Sequence, residues 1–192
     1  MTDFPDAPHD FDDQRLGALR QRIGWLCHAL RLAAAAYCVW ILFTIVSFWS
    51  DEALVVSRFG KPLGVDVSGV TGLQRFEAFS ISFLVWLLLT AACYSGWRLF
   101  SAYLEGRIFA VSSTLWLRRL ALFGLISALV DIVARPVTSL ILTAHKATGQ
   151  HIVSVFVRPE DLSTVLLLAT LLALAHIQKT AADIADENAQ IV

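Results

Sequence analysis

Two residues of opposite charge stand one helical turn apart in one of the most apolar parts of the chain. Asp131 and Arg135 lie within the stretch LVDIVARPV, and a spacing of four residues puts an acid and a following base on one helix face, where they can pair. Charges inside membrane spans line ion or proton paths, contact other subunits or form internal salt bridges. The sequence leaves these interpretations open and favours a salt bridge, with Arg135 extending toward the membrane surface.

Pro136 directly follows this pair. Proline has no N–H to donate to the carbonyl of Ile132 and its ring crowds that group, so we predict a helix kink here. Asp131 lies eleven residues after Leu120, about 16 Å along a helix, which predicts a position near the bilayer midplane. The charged face should therefore point toward neighbouring helices rather than toward lipid.

Histidines raise the question of a haem. His28 and His176 are predicted at the same membrane edge, on the first and fourth helices, where two imidazoles can hold a haem iron. One histidine per helix is a weak signal, and the three cysteines lack the spacing of metal ligands. The sequence contains no glycine-rich phosphate loop, no G-x-S-x-G and no H-E-x-x-H. We therefore predict neither enzymatic activity nor a cofactor or metal.

Composition places these residues in a membrane protein. Of 192 residues, 57% are hydrophobic and 16% are charged, which is too apolar for an ordinary soluble domain. The formal net charge of -1 argues against direct nucleic acid binding.

Four apolar runs are long enough to cross the bilayer as helices. The fold class predicted is an all-α membrane protein, a bundle of four transmembrane helices. The predicted spans are residues 30–49, 78–97, 120–142 and 160–178, within a domain of residues 23–178. Residues 1–22 form an acidic tail before this domain, and residues 179–192 form the end of the last helix after it.

Lysine and arginine are unevenly distributed over the predicted connections. With both termini on one side, that side holds nine of them and the other holds five. The positive-inside rule then predicts a bacterial plasma membrane protein with both termini in the cytoplasm. On the outer side, residues 53–59 and 151–157 are rich in β-branched residues, which predicts a small external β cap.

Two segments on the predicted cytoplasmic side form a candidate docking surface. The first surrounds the second connection and the other belongs to the last helix. The residues concerned are Glu105, Gly106, Phe109, Arg119, Asp186, Glu187 and Asn188. They are interpreted either as a connecting turn and a solvated helix end, or as a face that binds a partner protein.

Several of these residues also carry a family resemblance. A short charged turn with glycine and phenylalanine leads through serine into a basic span, and the chain ends in an acidic helix with Glu-Asn. The residues are Gly106, Phe109, Ser112, Arg119, Glu187 and Asn188. From the first span onward, the chain resembles an uncharacterised bacterial family of four-helix membrane proteins, the DUF2975 domain of unknown function. The resemblance implies a plasma membrane protein, often encoded beside a small helix-turn-helix regulator, and no activity.

The function predicted is that of an accessory or regulatory protein that acts by protein–protein contacts within or beside the lipid bilayer. Its partner would be another membrane protein, a second copy of the chain or, by the resemblance, a helix-turn-helix regulator. Two alternatives are a small transporter or channel that uses Asp131 and Arg135, and a haem-binding electron-transfer module.

Overall fold

The computed structural model describes residues 9–57, 69–105, 111–144 and 157–189. These residues form five helices, α1 (His9–Ser50), α2 (Glu52–Val55), α3 (Gly72–Leu104), α4 (Val111–Thr143) and α5 (Pro159–Ala189). Four segments are long and apolar enough to cross a membrane: Gly24–Ser50, Gly72–Leu104, Ser112–Thr143 and Pro159–Ala181. No strand occurs in this part of the chain. The predicted all-α fold with four transmembrane helices is confirmed, and the chain is a multi-pass membrane protein.

The predicted β cap is wrong for the part of its first segment, residues 53–59, that the structure describes. Residues 53–55 belong to α2 because Asp51 caps this helix: its carboxylate accepts the N–H of Ala53 at 2.9 Å, and its carbonyl accepts that of Val55 at 3.2 Å. Val55 is also buried against Trp49. Capping and burial therefore outweigh the β propensity of this segment. Residues 58–59 and 151–156 lie outside the described residues.

A capping box starts α3 and also links it to α4. Thr71 Oγ1 accepts the N–H of Gln74 at 3.4 Å, and Gln74 Oε1 accepts the N–H of Thr71 at 3.0 Å, which satisfies two N–H groups at the helix start. Gln74 Nε2 in turn donates to the carbonyl of Ile141 at 3.0 Å. This carbonyl lies in the last turn of α4 and also accepts the N–H of Ala144 at 3.3 Å.

The long helices pack in series, α1 on α3, α3 on α4 and α4 on α5. Within the described ranges α1 and α5 do not pack against each other, so the bundle is open on one side. Trp86 Nε1 of α3 donates to the carbonyl of Cys38 in α1 at 3.0 Å, and Ser127 Oγ of α4 donates to the carbonyl of Val85 in α3 at 3.3 Å. These two bonds join α1, α3 and α4 to one another along the opening.

A glycine of α4 lies against a leucine side chain of α5. A Cβ atom at Gly124 would lie 2.9 Å from Cδ2 of Leu168 in α5, whereas one at Gly96 would meet Leu120 at an ordinary 3.6 Å. Glycine lets two transmembrane helices approach closely and pack by van der Waals contact. The Leu168 side chain occupies the space that the missing side chain leaves.

Replacing Gly124 by isoleucine is expected to destabilise the bundle, because the larger side chain forces α4 and α5 apart. We expect a loss of about 1–3 kcal/mol in the free energy of unfolding, the usual cost of overpacking. Thermal unfolding in detergent micelles measures it. Gly96→Ala is the control and should be neutral or slightly stabilising, since alanine favours a helix. Equal stability of wild type and Gly124→Ile would contradict the close packing.

At one end of the bundle, two helices continue beyond their apolar spans. Helix α1 begins at His9 with fifteen mostly polar residues, HDFDDQRLGALRQRI, and α5 ends at Ala189 with the polar sequence ADIADENA. These segments, residues 9–23 and 182–189, are called the helix extensions. They lie at the same end because Gly24 is beside Leu104 and Ala175 packs with Leu99 and Leu117. Much of the predicted acidic tail is thus helical.

Candidate functional site

Three charged side chains meet where α5 begins, and they are called the charged triad: Asp131, Arg135 and Asp161. Arg135 Nη2 donates to Asp131 Oδ2 at 2.6 Å. Toward Asp161 the guanidinium is bidentate, with Nη1 donating to Oδ2 at 2.5 Å and Nη2 to Oδ1 at 2.9 Å. Bidentate arginine–carboxylate pairs combine directional hydrogen bonds with opposite charges. The triad therefore clamps α4 to α5.

Helix geometry explains why these side chains converge. The four-residue spacing of Asp131 and Arg135 puts both on one face of α4. Asp161 is the third residue of α5, and its carboxylate also accepts the N–H of Arg158 at 2.8 Å, as the acidic half of a capping box does. A negative charge at a helix N-terminus is further favoured by the helix dipole. Asp161 is thus oriented by its own helix before it binds Arg135.

The two carboxylates differ in exposure. The side chain of Asp161 is 13% exposed, while that of Asp131 is 45% exposed. Asp161 accepts three hydrogen bonds through its two oxygens, whereas Asp131 accepts a single one, through Oδ2, from the described residues. One guanidinium faces two carboxylates, so the triad carries a net charge of about -1 when all three groups are ionised. The uncompensated charge lies on the Asp131 side.

The depth of the triad in the membrane stays a prediction. Asp161 and Lys179 of α5 are eighteen residues apart, about 27 Å along a helix. This length nearly equals the hydrocarbon thickness of about 30 Å, which favours a position of Asp161 close to one face. Along α4, Asp131 lies twenty residues after Val111 and twelve before Thr143, so this helix extends well beyond the triad in both directions. Pro136 lies inside α4, which continues as one helix to Thr143.

The triad borders a cleft of about 570 Å³ between α1 and α5. The floor is formed by α3 and α4, and the cleft follows from the absence of packing between the two outer helices in the described ranges. Among its lining residues, the triad members are the only charged ones. Other polar lining residues are Thr44, Ser82, Ser127, Thr138 and Thr164. A cleft of this volume matches the size of small-molecule sites in proteins.

The predicted docking residues are brought toward one end of the bundle. Glu105 is exposed at the end of α3, and the exposed Arg119 lies with its guanidinium carbon 4.8 Å from the ring centroid of Trp116. Asp186, Glu187 and Asn188 belong to α5, but their side chains are not among those described. Gly106 and Phe109 lie outside the described residues. These sequence positions therefore share an end, while a common surface remains a prediction.

The histidines are not brought to one site. His28 and His176 are both exposed, and they belong to α1 and α5, which do not pack together within the described ranges. The described residues also contain no cluster of three or more His, Cys, Asp or Glu side chains that could hold a metal ion.

The sequence interpretation missed Asp161 as the second partner of Arg135. A signal was available in the sequence: a basic residue in one span, and an acidic residue at the start of the next, can pair when the two helices are adjacent and antiparallel. Only the packing of α4 on α5 shows that they do.

Comparison with known proteins identifies a family to which most of the chain is similar. Residues 74–192 match the family described as "Protein of unknown function (DUF2975)", while no curated protein and no solved structure matches the chain. The match contains α3, α4, α5 and the whole triad, but it begins at Gln74 and leaves α1 and α2 outside. The resemblance noted in the sequence was taken to begin at the first span. Since the match covers more than half of the chain, this protein belongs to the DUF2975 family.

Proposed function

We propose that this protein is a non-enzymatic accessory or regulatory protein of the bacterial plasma membrane, which binds a cytoplasmic partner through its helix extensions. Both termini are then cytoplasmic. This orientation is supported by the positive-inside rule, since nine of the fifteen lysine and arginine residues belong to segments at or near the end that bears the extensions, and five to the opposite end.

The observation that carries this proposal is the continuation of two helices past the apolar spans at the same end. Residues 9–23 of α1 and residues 182–189 of α5 are helical although they are too polar to lie in the bilayer. A helix gains stability mainly when a partner packs against it. Two polar helix ends at the same end of the bundle therefore favour a protein-binding surface.

The sequence of the extensions indicates the charge of the partner. Residues 182–189 of α5 contain three acidic and no basic residues (Asp183, Asp186 and Glu187), whereas residues 9–23 of α1 contain three of each, with the acidic ones nearest the start of the helix. Such acidic helix ends attract a basic protein surface. A small helix-turn-helix regulator, which the family resemblance implies, has such a surface for DNA, so membrane binding and DNA binding would compete.

Cross-linking in native membranes, followed by purification and mass spectrometry, tests the proposal. We expect one soluble, basic protein in stoichiometric amount, cross-linked to residues 179–189 or to the connection after Glu105. The variant Asp186→Lys/Glu187→Lys should lower its recovery about tenfold or more, because opposite charges at an interface become like charges. The matched control Glu77→Lys/Glu160→Lys makes the same charge change at the opposite end and should not alter recovery.

Two outcomes would contradict this function. Recovery of the protein alone, or cross-links only to further copies of itself, would leave a self-contained homo-oligomer. Equal loss of the partner in both double variants would show that the acidic helix ends do not recognise it. Raising the salt concentration should also weaken the contact, since exposed charges are screened beyond about 8 Å at physiological ionic strength.

A further inference from the structure

The cleft between α1 and α5 is about as deep as one half of the hydrocarbon layer. Along α4 it is lined from Ser127 to Thr138, eleven residues or about 16 Å. This depth is close to half of the hydrocarbon thickness of about 30 Å. The charged pair lies within this length, since Ser127 precedes Asp131 by four residues and Thr138 follows Arg135 by three. The depth of the cleft therefore matches one lipid leaflet.

Polarity differs between the two sides of the cleft. The sides formed by α4 and α5 contribute the triad, Ser127, Thr138 and Thr164. The sides formed by α1 and α3 contribute mainly apolar and aromatic side chains. These include Tyr37, Ile41, Ile45, Val85, Trp86 and Leu89. The cleft thus offers a polar region for a head group and an apolar region for a hydrocarbon chain.

The charge of the polar region selects the head group. Arg135 is already bound to both carboxylates, so it has little capacity left for an anion. Asp131 keeps Oδ1 without a hydrogen-bond donor from the described residues, and its half-exposed side chain lines the cleft. An ionised carboxylate at the edge of the hydrocarbon is unfavourable unless a cation or water accompanies it. A positively charged group complements this site.

We propose that the cleft binds a membrane lipid or lipid-like amphiphile whose head group carries an amine. The ammonium group pairs with Asp131, and the hydrocarbon chain lies along α1, against Ile41 and Ile45. Aromatic faces at Tyr37 and Trp86 add attraction for the chain and for a nearby cation. The site lies at the opposite end from the helix extensions and does not depend on the proposed partner.

Photo-labelling of the full-length protein in phosphatidylcholine nanodiscs tests the site. The probe is a twelve-carbon primary alkylamine with a diazirine in its chain, and the alcohol with the same chain is its neutral counterpart. We expect the amine to label residues 37–48 of α1 about tenfold more than the alcohol, because a hydrogen bond to a charged group discriminates strongly. Excess dodecylamine should suppress the labelling.

Three variants separate charge, space and folding. Asp131→Asn should lower amine labelling to the level of the alcohol, whereas Glu160→Gln, an exposed acid outside the lining, should leave it unchanged. Ala128→Phe fills the cleft without changing its charge and should lower labelling by both probes about tenfold, since overlap with a buried side chain is strongly unfavourable. Circular dichroism shows whether each variant is folded. If Asp131→Asn is misfolded, the test is decided by the amine-to-alcohol labelling ratio in wild type and by the labelling of Ala128→Phe.

Several results would overturn the proposal. Equal labelling by amine and alcohol in wild type would show that charge does not select the ligand. Amine labelling that persists in folded Asp131→Asn would assign the selectivity to another group. Cross-links from residues 37–48 to a second copy or to another protein's helix, with no protection by dodecylamine, would identify a protein as the occupant. Partner recovery should be the same in Asp131→Asn and wild type, so failure of the lipid site and failure of the docking function are distinguishable.

Discussion

Replacing Arg135 by glutamine is expected to lower the free energy of unfolding by about 2–3 kcal/mol, somewhat less than the loss of a fully buried ion pair. The guanidinium makes three hydrogen bonds to Asp131 and Asp161, and its side chain is 25% exposed. Without it, two carboxylates face each other at the edge of the hydrocarbon with no cation between them. Thermal or denaturant unfolding in micelles, followed by circular dichroism, measures the loss.

A second arginine provides the control for this substitution. Arg75 Nη1 lies 3.7 Å from Glu52 Oε2, and the Glu52 side chain is 58% exposed. Exposed pairs contribute about 0–1 kcal/mol, so Arg75→Gln should change stability little. Asp131→Asn should cost less than Arg135→Gln, because Arg135 keeps its two hydrogen bonds to Asp161. If Arg135→Gln and Arg75→Gln proved equally stable, the triad would not be the clamp between α4 and α5.

The triad shows which contacts can be predicted from local sequence and which cannot. The spacing of Asp131 and Arg135 is a property of one helix, so their salt bridge follows from the sequence by helix geometry. Asp161 lies twenty-six residues beyond Arg135, and its contact depends on how α5 packs on α4 and how deep α5 begins. Neither quantity is encoded in a periodic pattern. The same reason applies to the depth of the charges, since the helix limits at Val111 and Pro159 are needed to place them along α4 and α5.

The four spans could be predicted because backbone groups in lipid must bond within a helix, and apolar runs therefore have one regular conformation. The predicted β segment around Ala53 failed because its β-branched residues were weighed without the cap that Asp51 supplies. The cleft could not be predicted at all. It exists because α1 packs on α3 and α5 packs on α4 without contact between α1 and α5 in the described residues. Hydropathy gives the number of helices but not their neighbours.

Replacing Trp49 by alanine is expected to be the most destabilising of these substitutions, with a loss of about 3–5 kcal/mol. Trp49 is 8% exposed and belongs to the buried cluster that also contains Val55, Ala78 and Leu142, so it lies where α1 packs on α2 and α3. Its Nε1 also donates to Ser82 Oγ at 3.1 Å. Trp49→Phe should retain most of the packing and cost about 1 kcal/mol for the lost hydrogen bond. Thermal unfolding of both variants in micelles separates the two contributions.

The matched control is Trp40, which belongs to the same helix and is 68% exposed. Trp40→Ala should change stability by less than about 1 kcal/mol, since exposed positions tolerate truncation. Because α1 packs only on α2 and α3 within the described ranges, loss of Trp49 should release α1 while α3, α4 and α5 stay together. The family match, which begins at Gln74, covers these three helices and is consistent with their forming a unit. A single unfolding transition of all four long helices in Trp49→Ala would contradict this expectation. It would show that α1 unfolds together with α3, α4 and α5 and holds a fixed position beside the cleft.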